Sequence, residues 1–281
     1  MEVWLSKVKL LFRFLRVKDW RAYLLIAFLG FILAKGFIFP LKEVFLFWLI
    51  NFLFLGFGFS INECFDVKED RYHKEKEKVF IGKKLSFQKG IILSFFISLL
   101  TLILSALINL KVFLFSLISL FLGLFYSAPP LRFKEKPFLD LISHGLFAGA
   151  LIFLFPFVFF EAKLTYFHYL ITLSIFYLSV ILELRNHLED YQSDLKANLK
   201  TTACFLGFKK TEKILRYLAI FYPLILLPLF LSQNFFLILF FIATLSFLIS
   251  FLLSQNQILG KNYRIFDLYA FFSFSLLVFY A

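Results

Sequence analysis

The chain is dominated by apolar segments that are about as long as a helix crossing a lipid bilayer. A spanning helix needs about twenty consecutive, mostly apolar residues. Nine segments of the 281-residue sequence fit this description, namely residues 22–39, 43–61, 90–109, 112–128, 138–160, 165–183, 213–232, 234–254 and 265–281. The composition agrees, because 61% of the residues are hydrophobic, whereas soluble domains are about half apolar. The sequence therefore predicts an all-α membrane protein of about nine transmembrane helices, with residues 1–281 forming one domain.

The basic residues fall mainly on one side of these segments. Twenty-six Lys and Arg residues lie in the N-terminal segment and in every second connection, and the other four are Lys35, Lys42, Lys111 and Lys163. Cytoplasmic loops carry an excess of basic residues, so we expect a multi-pass protein of the cell (cytoplasmic) membrane with a cytoplasmic N-terminus. The net charge of +12 then reflects topology, and it does not indicate a nucleic acid partner.

Residues 1–21 mix basic and apolar side chains ahead of the first apolar segment. Lys7, Lys9, Arg13 and Arg16 are interleaved with Trp, Leu and Phe residues. A cleavable signal peptide has one short apolar core and a small-residue cleavage site, and this segment has neither. The pattern is typical of an amphipathic helix lying on an anionic membrane surface. A simple basic anchor that sets topology explains the charges equally well.

One pattern, Asn-x3-Asp-x3-Asp, occurs twice in the chain. Its copies are Asn62-Asp66-Asp70 and Asn186-Asp190-Asp194. Residues four apart lie on one helical face, so each copy places an amide and two carboxylates along one stripe at the end of an apolar segment. Carboxylates at such a position are costly unless something cationic binds them. Both copies lie on the predicted cytoplasmic side, and together they predict a site for divalent metal ions that carry a polyanion.

This donor set suits Mg²⁺ bound to a diphosphate. Mg²⁺ takes oxygen ligands from one or two carboxylates and keeps room for waters and substrate phosphates. We expect two ions, one on the aspartates of each motif, and each asparagine adds a neutral oxygen or a hydrogen bond. Six nearby cations could complete the neutralisation of the diphosphate: Arg71, Lys74, Arg132, Lys134, Lys196 and Lys200. A diphosphate that departs in an apolar cavity leaves an allylic carbocation, which an aromatic face stabilises by about 0.5–2 kcal/mol.

A proline-containing turn follows the fourth apolar segment. Its sequence is Y-S-A-P-P-L-R-F-K, from Tyr126 to Lys134. Pro129 and Pro130 end the helix, so Tyr126 should lie at the membrane edge, with Arg132 and Lys134 beside the acidic stripes. Tyr126 is therefore a candidate catalytic residue. The alternative is a tyrosine of the aromatic belt at the membrane interface.

The order of these motifs resembles the UbiA family of intramembrane prenyltransferases. The matching elements are N-x3-D-x3-D, then Y-S-A-P-P-L-R-F-K, then D-x3-D followed by Lys200-Thr201-Thr202. The resemblance covers essentially the whole chain. It implies a helical bundle around a central cavity, with a cytoplasmic polar cap and a lateral opening to lipid. It also implies Mg²⁺-dependent transfer of a prenyl group from a prenyl diphosphate to an aromatic or lipid acceptor.

The resemblance also assigns roles to individual residues. It implies that the four motif aspartates bind metal, with Asp66 and Asp190 also counted as catalytic, and that Tyr126 lies near the reacting carbon. The sequence departs from the family in the loop after the first motif. Glu63 replaces an aspartate, and residues 74–78 (Lys-Glu-Lys-Glu-Lys) replace an Arg-Pro-rich run. The diphosphate contacts of that loop are therefore not carried over.

The acceptor and the donor chain length are open at this stage. We expect an aromatic quinone precursor as acceptor, with membrane lipid around the protein, and a glycerol-phosphate lipid or a carotenoid is the alternative. A membrane transporter with intramembrane carboxylates is the alternative from another class. It fits less well, because the acidic residues cluster at one cytoplasmic mouth and the centres of most apolar segments lack charge.

Overall fold

All the named elements are helical in the computed structural model, which describes residues 2–36, 40–67, 72, 81–82, 84–231, 242 and 264–280. The α-helices are α1 (Glu2–Phe14), α2 (Arg21–Lys35), α3 (Leu41–Phe65), α4 (Phe87–Ile108), α5 (Leu110–Ser127), α6 (Leu139–Phe159), α7 (Tyr166–Glu189), α8 (Tyr191–Lys196), α9 (Thr202–Leu206), α10 (Phe208–Leu231) and α11 (Arg264–Tyr280). Two short 3₁₀ turns, Val17–Trp20 and Phe133–Glu135, precede α2 and α6.

Five helices of the described residues, α3 to α7, are long and apolar enough to cross a membrane. They coincide with the five predicted spans between residues 43 and 183. Helices α2, α10 and α11 lie at three more predicted spans but are not among these five. The predicted span 234–254 lies outside the described residues except for position 242. The structure thus confirms an all-helical fold with several apolar spans, and the count of nine stays a prediction.

The helices pack closely through small residues. Helix α3 packs on α4, α4 on α5, α2 on α6, and α7 on both α6 and α10. A Cβ atom on Gly30 of α2 would lie 2.3 Å from the carbonyl oxygen of Phe153 in α6, so no larger residue fits there. Ser94 of α4 donates to Ser60 of α3 at 2.8 Å. Small residues and hydroxyl pairs of this kind let helices approach within a bilayer.

Buried apolar side chains form several clusters within the bundle. The largest cluster joins α6, α7, α10 and α11 and includes Phe153, Ile175, Leu215, Tyr222 and Phe266. A second cluster joins α2, α3 and α6 through Phe31, Phe47 and Phe155. Helix α6 changes to a π-helical turn at Leu146–Ala150, a local irregularity that is frequent at functional sites.

The N-terminal segment is helical, as its amphipathic pattern predicts. Phe14 of α1 is buried against Cys64 and Ile81, whereas Leu11 and Phe12 are exposed. One face of the segment therefore packs on the bundle and another is uncovered. Its position on a membrane surface stays a prediction.

Candidate active site

A cavity of about 350 Å³ lies between α3, α5, α6 and α7. Its polar wall comes from the C-terminal ends of α3, α5 and α7 and from nearby turns: Arg16, Asn62, Asp66, Ser127, Lys134, Asn186, Asp190, Asp194 and Thr201. Its apolar wall comes from residues farther along α3 and from α6: Phe54, Leu55, Phe57, Phe59, Phe147, Ala148 and Ile152. The cavity is therefore amphipathic, with charge at the helix ends and aromatic groups towards their middle.

The first acidic motif ends helix α3. The helix runs to Phe65, so Asn62 is helical and not in a loop as the predicted segment ends implied. The backbone N–H of Asp66 donates to the carbonyl oxygen of Asn62 at 3.0 Å, which keeps the helical spacing of the pair. The Asn62 amide donates to Ser127 at 3.1 Å and accepts from Arg16 at 3.4 Å. Three predicted site residues, Asp70, Arg71 and Lys74, lie outside the described residues.

The second motif is arranged in the same way at the end of α7. The helix runs to Glu189, and Asp190 follows as its last cap residue. The N–H of Asp190 donates to the carbonyl oxygen of Asn186, and the N–H of Asp194 donates to that of Asp190, both at 2.9 Å. The three motif residues line the same cavity as Asn62 and Asp66. The fold thus brings together two motifs that are 124 residues apart in sequence, because the C-terminal ends of α3 and α7 line one cavity.

Among the predicted cations that the structure describes, Lys134 is the one that lines the cavity. It is buried, and its ammonium group contacts the carboxylate of Asp66. Burial lowers the pKa of Lys134 to about 8, while the carboxylates of Glu135, Asp194 and Glu183 act in the opposite direction. Lys134 therefore faces carboxylates of both halves of the site.

The other predicted cations of the described residues do not line the cavity. Arg132 bonds to Glu135 at 2.7 Å and to the carbonyl oxygen of Phe65 at 3.5 Å. Lys196 and Lys200 are exposed. A role for these three in binding substrate stays a prediction.

Tyr126 is part of the cavity wall and is not an exposed residue of the membrane edge. Its side chain is buried, and its hydroxyl donates to the carboxylate of Glu183. Its ring packs against Phe147 at 5.0 Å and against His144 at 6.0 Å between ring centroids. The position of Tyr126 therefore fits a residue that faces the cavity better than a tyrosine of the aromatic belt at the membrane interface.

Four buried groups of the site have no counterpart among the predicted residues. The Glu183 carboxylate lies 3.4 Å from the His144 imidazole and 3.3 Å from the His187 imidazole. His187 also lies 3.7 Å from Asp140, which accepts the backbone N–H of Thr202 at 2.6 Å. A signal for this cluster exists in the sequence, because Asp140 and Glu183 are acidic residues within predicted spans, where ionisable groups usually have a function.

The donor set of the cavity fits Mg²⁺ better than a metal held only by protein. Among the described residues, no three His, Cys, Asp or Glu side chains converge as a complete metal cage. Asp66, Asp190 and Asp194 present carboxylate oxygens to one cavity that has room for further ligands. Mg²⁺ is commonly held by one or two carboxylates together with waters and substrate phosphates. The residues present therefore fit such an ion bound with a phosphorylated substrate.

Comparison with protein families places the chain among known proteins. The model of the UbiA prenyltransferase family matches residues 23–276. The chain belongs to this family. It is therefore a prenyltransferase and a multi-pass membrane protein. The match confirms the predicted family and decides against the alternative that the chain is a transporter.

Relatives within the family include two archaeal enzymes. The chain is 29% identical to digeranylgeranylglyceryl phosphate synthase of Saccharolobus solfataricus, over 84% of this chain and 83% of that protein. It is 26% identical to the Sulfurisphaera tokodaii protein of the same name, over 73% and 72%. Among solved structures, a UbiA homologue of Archaeoglobus fulgidus bound to GPP and Mg²⁺ aligns with a TM-score of 0.73 at 25% identity, over 96% of this chain and 97% of that chain.

Proposed function

We propose that this protein transfers a prenyl group from a prenyl diphosphate to a glycerol-phosphate lipid in the membrane, with Mg²⁺. The observation that carries the acceptor is the name shared by the two relatives, whose product bears two geranylgeranyl groups on glyceryl phosphate. This acceptor is the alternative of the sequence analysis and replaces the aromatic quinone precursor as our preferred one. The A. fulgidus homologue solved with GPP and Mg²⁺ supports the donor class and the ion.

The polar end of the cavity is proposed as the diphosphate site. Asp66 and Asp70 would hold one Mg²⁺ ion, and Asp190 and Asp194 a second. When bound, the ions neutralise the diphosphate and make it a better leaving group. Lys134, already in contact with one motif, would bind a phosphate oxygen as a point charge.

The remaining polar residues would hold the diphosphate from its sides. Asn62 and Asn186 are proposed to donate their amide hydrogens to it. The other five predicted cations are proposed as outer contacts that attract the donor from the membrane surface, namely Arg71, Lys74, Arg132, Lys196 and Lys200.

The apolar end of the cavity is proposed as the place of the isoprenoid tail. The tail would lie along the aromatic wall towards Phe54 and Ile152. These two residues also line a second, smaller cavity of about 20 Å³. They would therefore form the end wall that limits the tail.

Chemistry would take place between these two ends, beside Tyr126. The bond between C1 of the prenyl group and the diphosphate oxygen breaks, and its electron pair leaves with the diphosphate. A hydroxyl oxygen of the acceptor then forms a bond to C1, and its proton passes to the released diphosphate. Tyr126 would stabilise the positive charge that develops on the allylic group, because an aromatic ring attracts a cation through its face.

We further propose that both motifs face the cytoplasm and that residues 1–281 act as one domain. The charge asymmetry of the loops supports the orientation. A cytoplasmic mouth also suits a donor whose diphosphate is soluble and whose tail is not.

A panel of acceptors tests the proposal. Purified protein in vesicles receives geranylgeranyl diphosphate, Mg²⁺ and one acceptor at a time, and products are identified by mass. We expect an ether product with geranylgeranylglyceryl phosphate, and none with a hydroxybenzoate, a naphthoate or a carotenoid. Prenylation of an aromatic ring in preference to the glycerol lipid would show that the acceptor is wrong.

A further inference from the structure

Glu183 is a buried carboxylate in the cavity wall that belongs to neither acidic motif. It is 7% exposed and lies on α7, one turn before Asn186. One of its oxygens accepts the Tyr126 hydroxyl, and the other accepts the Asn186 amide at 3.1 Å. The imidazoles of His144 and His187 face the same two oxygens. This carboxylate thus joins α5, α6 and α7 at the centre of the site.

The groups around Glu183 are themselves fixed. The Nδ1 atom of His144 lies 3.0 Å from the Ser179 hydroxyl. His187 lies between two carboxylates, those of Glu183 and Asp140. An ionised carboxylate only accepts hydrogen bonds, so an environment of hydroxyl, amide and imidazole donors suits the charged form of Glu183. The result is a negative charge held next to Tyr126.

The ring of a phenol is richer in electrons when its hydroxyl donates to a carboxylate than when it donates to water. The hydrogen bond moves electron density towards the ring, and hydrogen bonds polarise their partners more strongly in a low-dielectric interior than in water. The face of the ring carries negative potential and attracts cations. A Tyr126 ring polarised by Glu183 should therefore stabilise an allylic cation better than the ring of phenylalanine in the same place.

We infer that Glu183 is a positioning residue of the reaction, which holds the Tyr126 ring at the cavity and increases its affinity for the allylic cation through their shared hydrogen bond. This inference rests on the proposed departure of a diphosphate beside Tyr126. In this role the charge of Glu183 acts through the tyrosine hydroxyl and does not act directly on the substrate.

A double-mutant cycle tests whether Glu183 acts through Tyr126. The variants are Glu183→Gln, Tyr126→Phe and the double variant, and two residues that interact show non-additive effects in such a cycle. We expect each single change to lower kcat by about threefold to fivefold, only part of the value of a whole cation–π contact because the ring remains, with the KM for the donor nearly unchanged. In the Tyr126→Phe background, Glu183→Gln should change kcat less than about twofold.

A second readout separates this inference from the identity of the acceptor. Hydrolysis of the prenyl diphosphate without acceptor reports diphosphate departure alone, and the four proteins should rank there as they do in transfer. If the wild type prenylates some other acceptor, the proposed function fails, but the cycle still decides the role of Glu183. Thermal unfolding of each variant checks that the bundle remains folded.

Three results would overturn the inference. One is a Glu183→Gln protein with the wild-type kcat for hydrolysis. Another is an equal loss of kcat from Glu183→Gln with and without the tyrosine hydroxyl, since that would indicate a direct charge effect. The third is a loss expressed only as a higher KM for the donor, which would make Glu183 a substrate-binding residue.

Discussion

The ammonium group of Lys134 contacts the carboxylate of Asp66, and this pair connects the turn after α5 with the end of α3. Lys134 also interacts electrostatically with Asp194, which belongs to the other acidic motif. This buried cation therefore interacts with carboxylates from both halves of the candidate site. It compensates carboxylates that would otherwise be costly at this position, and it lies where a phosphate group is proposed to bind.

Replacing Lys134 should impair the enzyme more than replacing an exposed lysine. We expect Lys134→Gln to lower kcat/KM by about a hundredfold, the usual cost of losing one group that stabilises developing charge. Lys163→Gln, in the connection between α6 and α7, is the matched control and should retain the wild-type rate. The measurement is the initial rate of prenyl transfer per folded protein. Equal rates for the two variants would remove Lys134 from the site.

The activity of the enzyme should depend on the ring of Tyr126 more than on its hydroxyl. Tyr126→Leu removes the aromatic face and should lose about tenfold more activity than Tyr126→Phe, on the scale of a desolvated cation–π contact. Tyr222→Phe is the matched control, because Tyr222 is a buried tyrosine of α10 that does not line the cavity. Full activity of Tyr126→Leu would show that the residue is only a packing group.

Phe54 should help to determine which prenyl chain length of the donor the enzyme prefers. Phe54→Ala would join the main cavity to the second, smaller one, so the ratio of rates should shift towards longer prenyl diphosphates. Phe54→Trp should shift it towards shorter ones. Phe95→Ala, on the exposed face of α4, is the control and should leave the ratio unchanged. An unchanged ratio in both Phe54 variants would place the tail elsewhere.

Both motif ends should lie on the cytoplasmic face. Single cysteines at Tyr72 and Lys196 follow the two motifs, and one at Glu161 lies in the connection between α6 and α7; all three positions are exposed. In a background without Cys64 and Cys204, an impermeant thiol reagent added outside intact cells should label only position 161. Labelling of position 72 or 196 from outside would contradict the orientation predicted by loop charge.

The acidic motifs were predictable because their spacing survives folding. Each Asn and its following Asp remain linked by an i to i+4 backbone bond, even though α7 ends between Asn186 and Asp194. The helix ends were less predictable. The predicted segments stop near residues 61 and 183, but hydrogen bonding continues to Phe65 and Glu189, since polar residues can extend a helix beyond the apolar stretch.

The cluster around Glu183 was harder to predict, for a physical reason. Its members come from α5, α6 and α7, and no local spacing relates Tyr126, His144 and Glu183 to one another. Their partnership arises only when the helices pack. Single polar residues within apolar segments are the sequence signal for such a site, and Asp140 and Glu183 carry it. The π-helical turn of α6 leaves no comparable pattern.

The central claim is that the two acidic motifs act as one Mg²⁺–diphosphate site. The most direct test is the rate of transfer of labelled prenyl groups by the wild type, Asp66→Asn and Asp190→Asn, each with Mg²⁺ and with EDTA, and with Glu161→Gln as control. We predict that EDTA abolishes wild-type transfer, that each Asp variant is about a hundredfold slower or worse, and that the control is unaffected. Wild-type rates in EDTA, or in either folded Asp variant, would contradict the account.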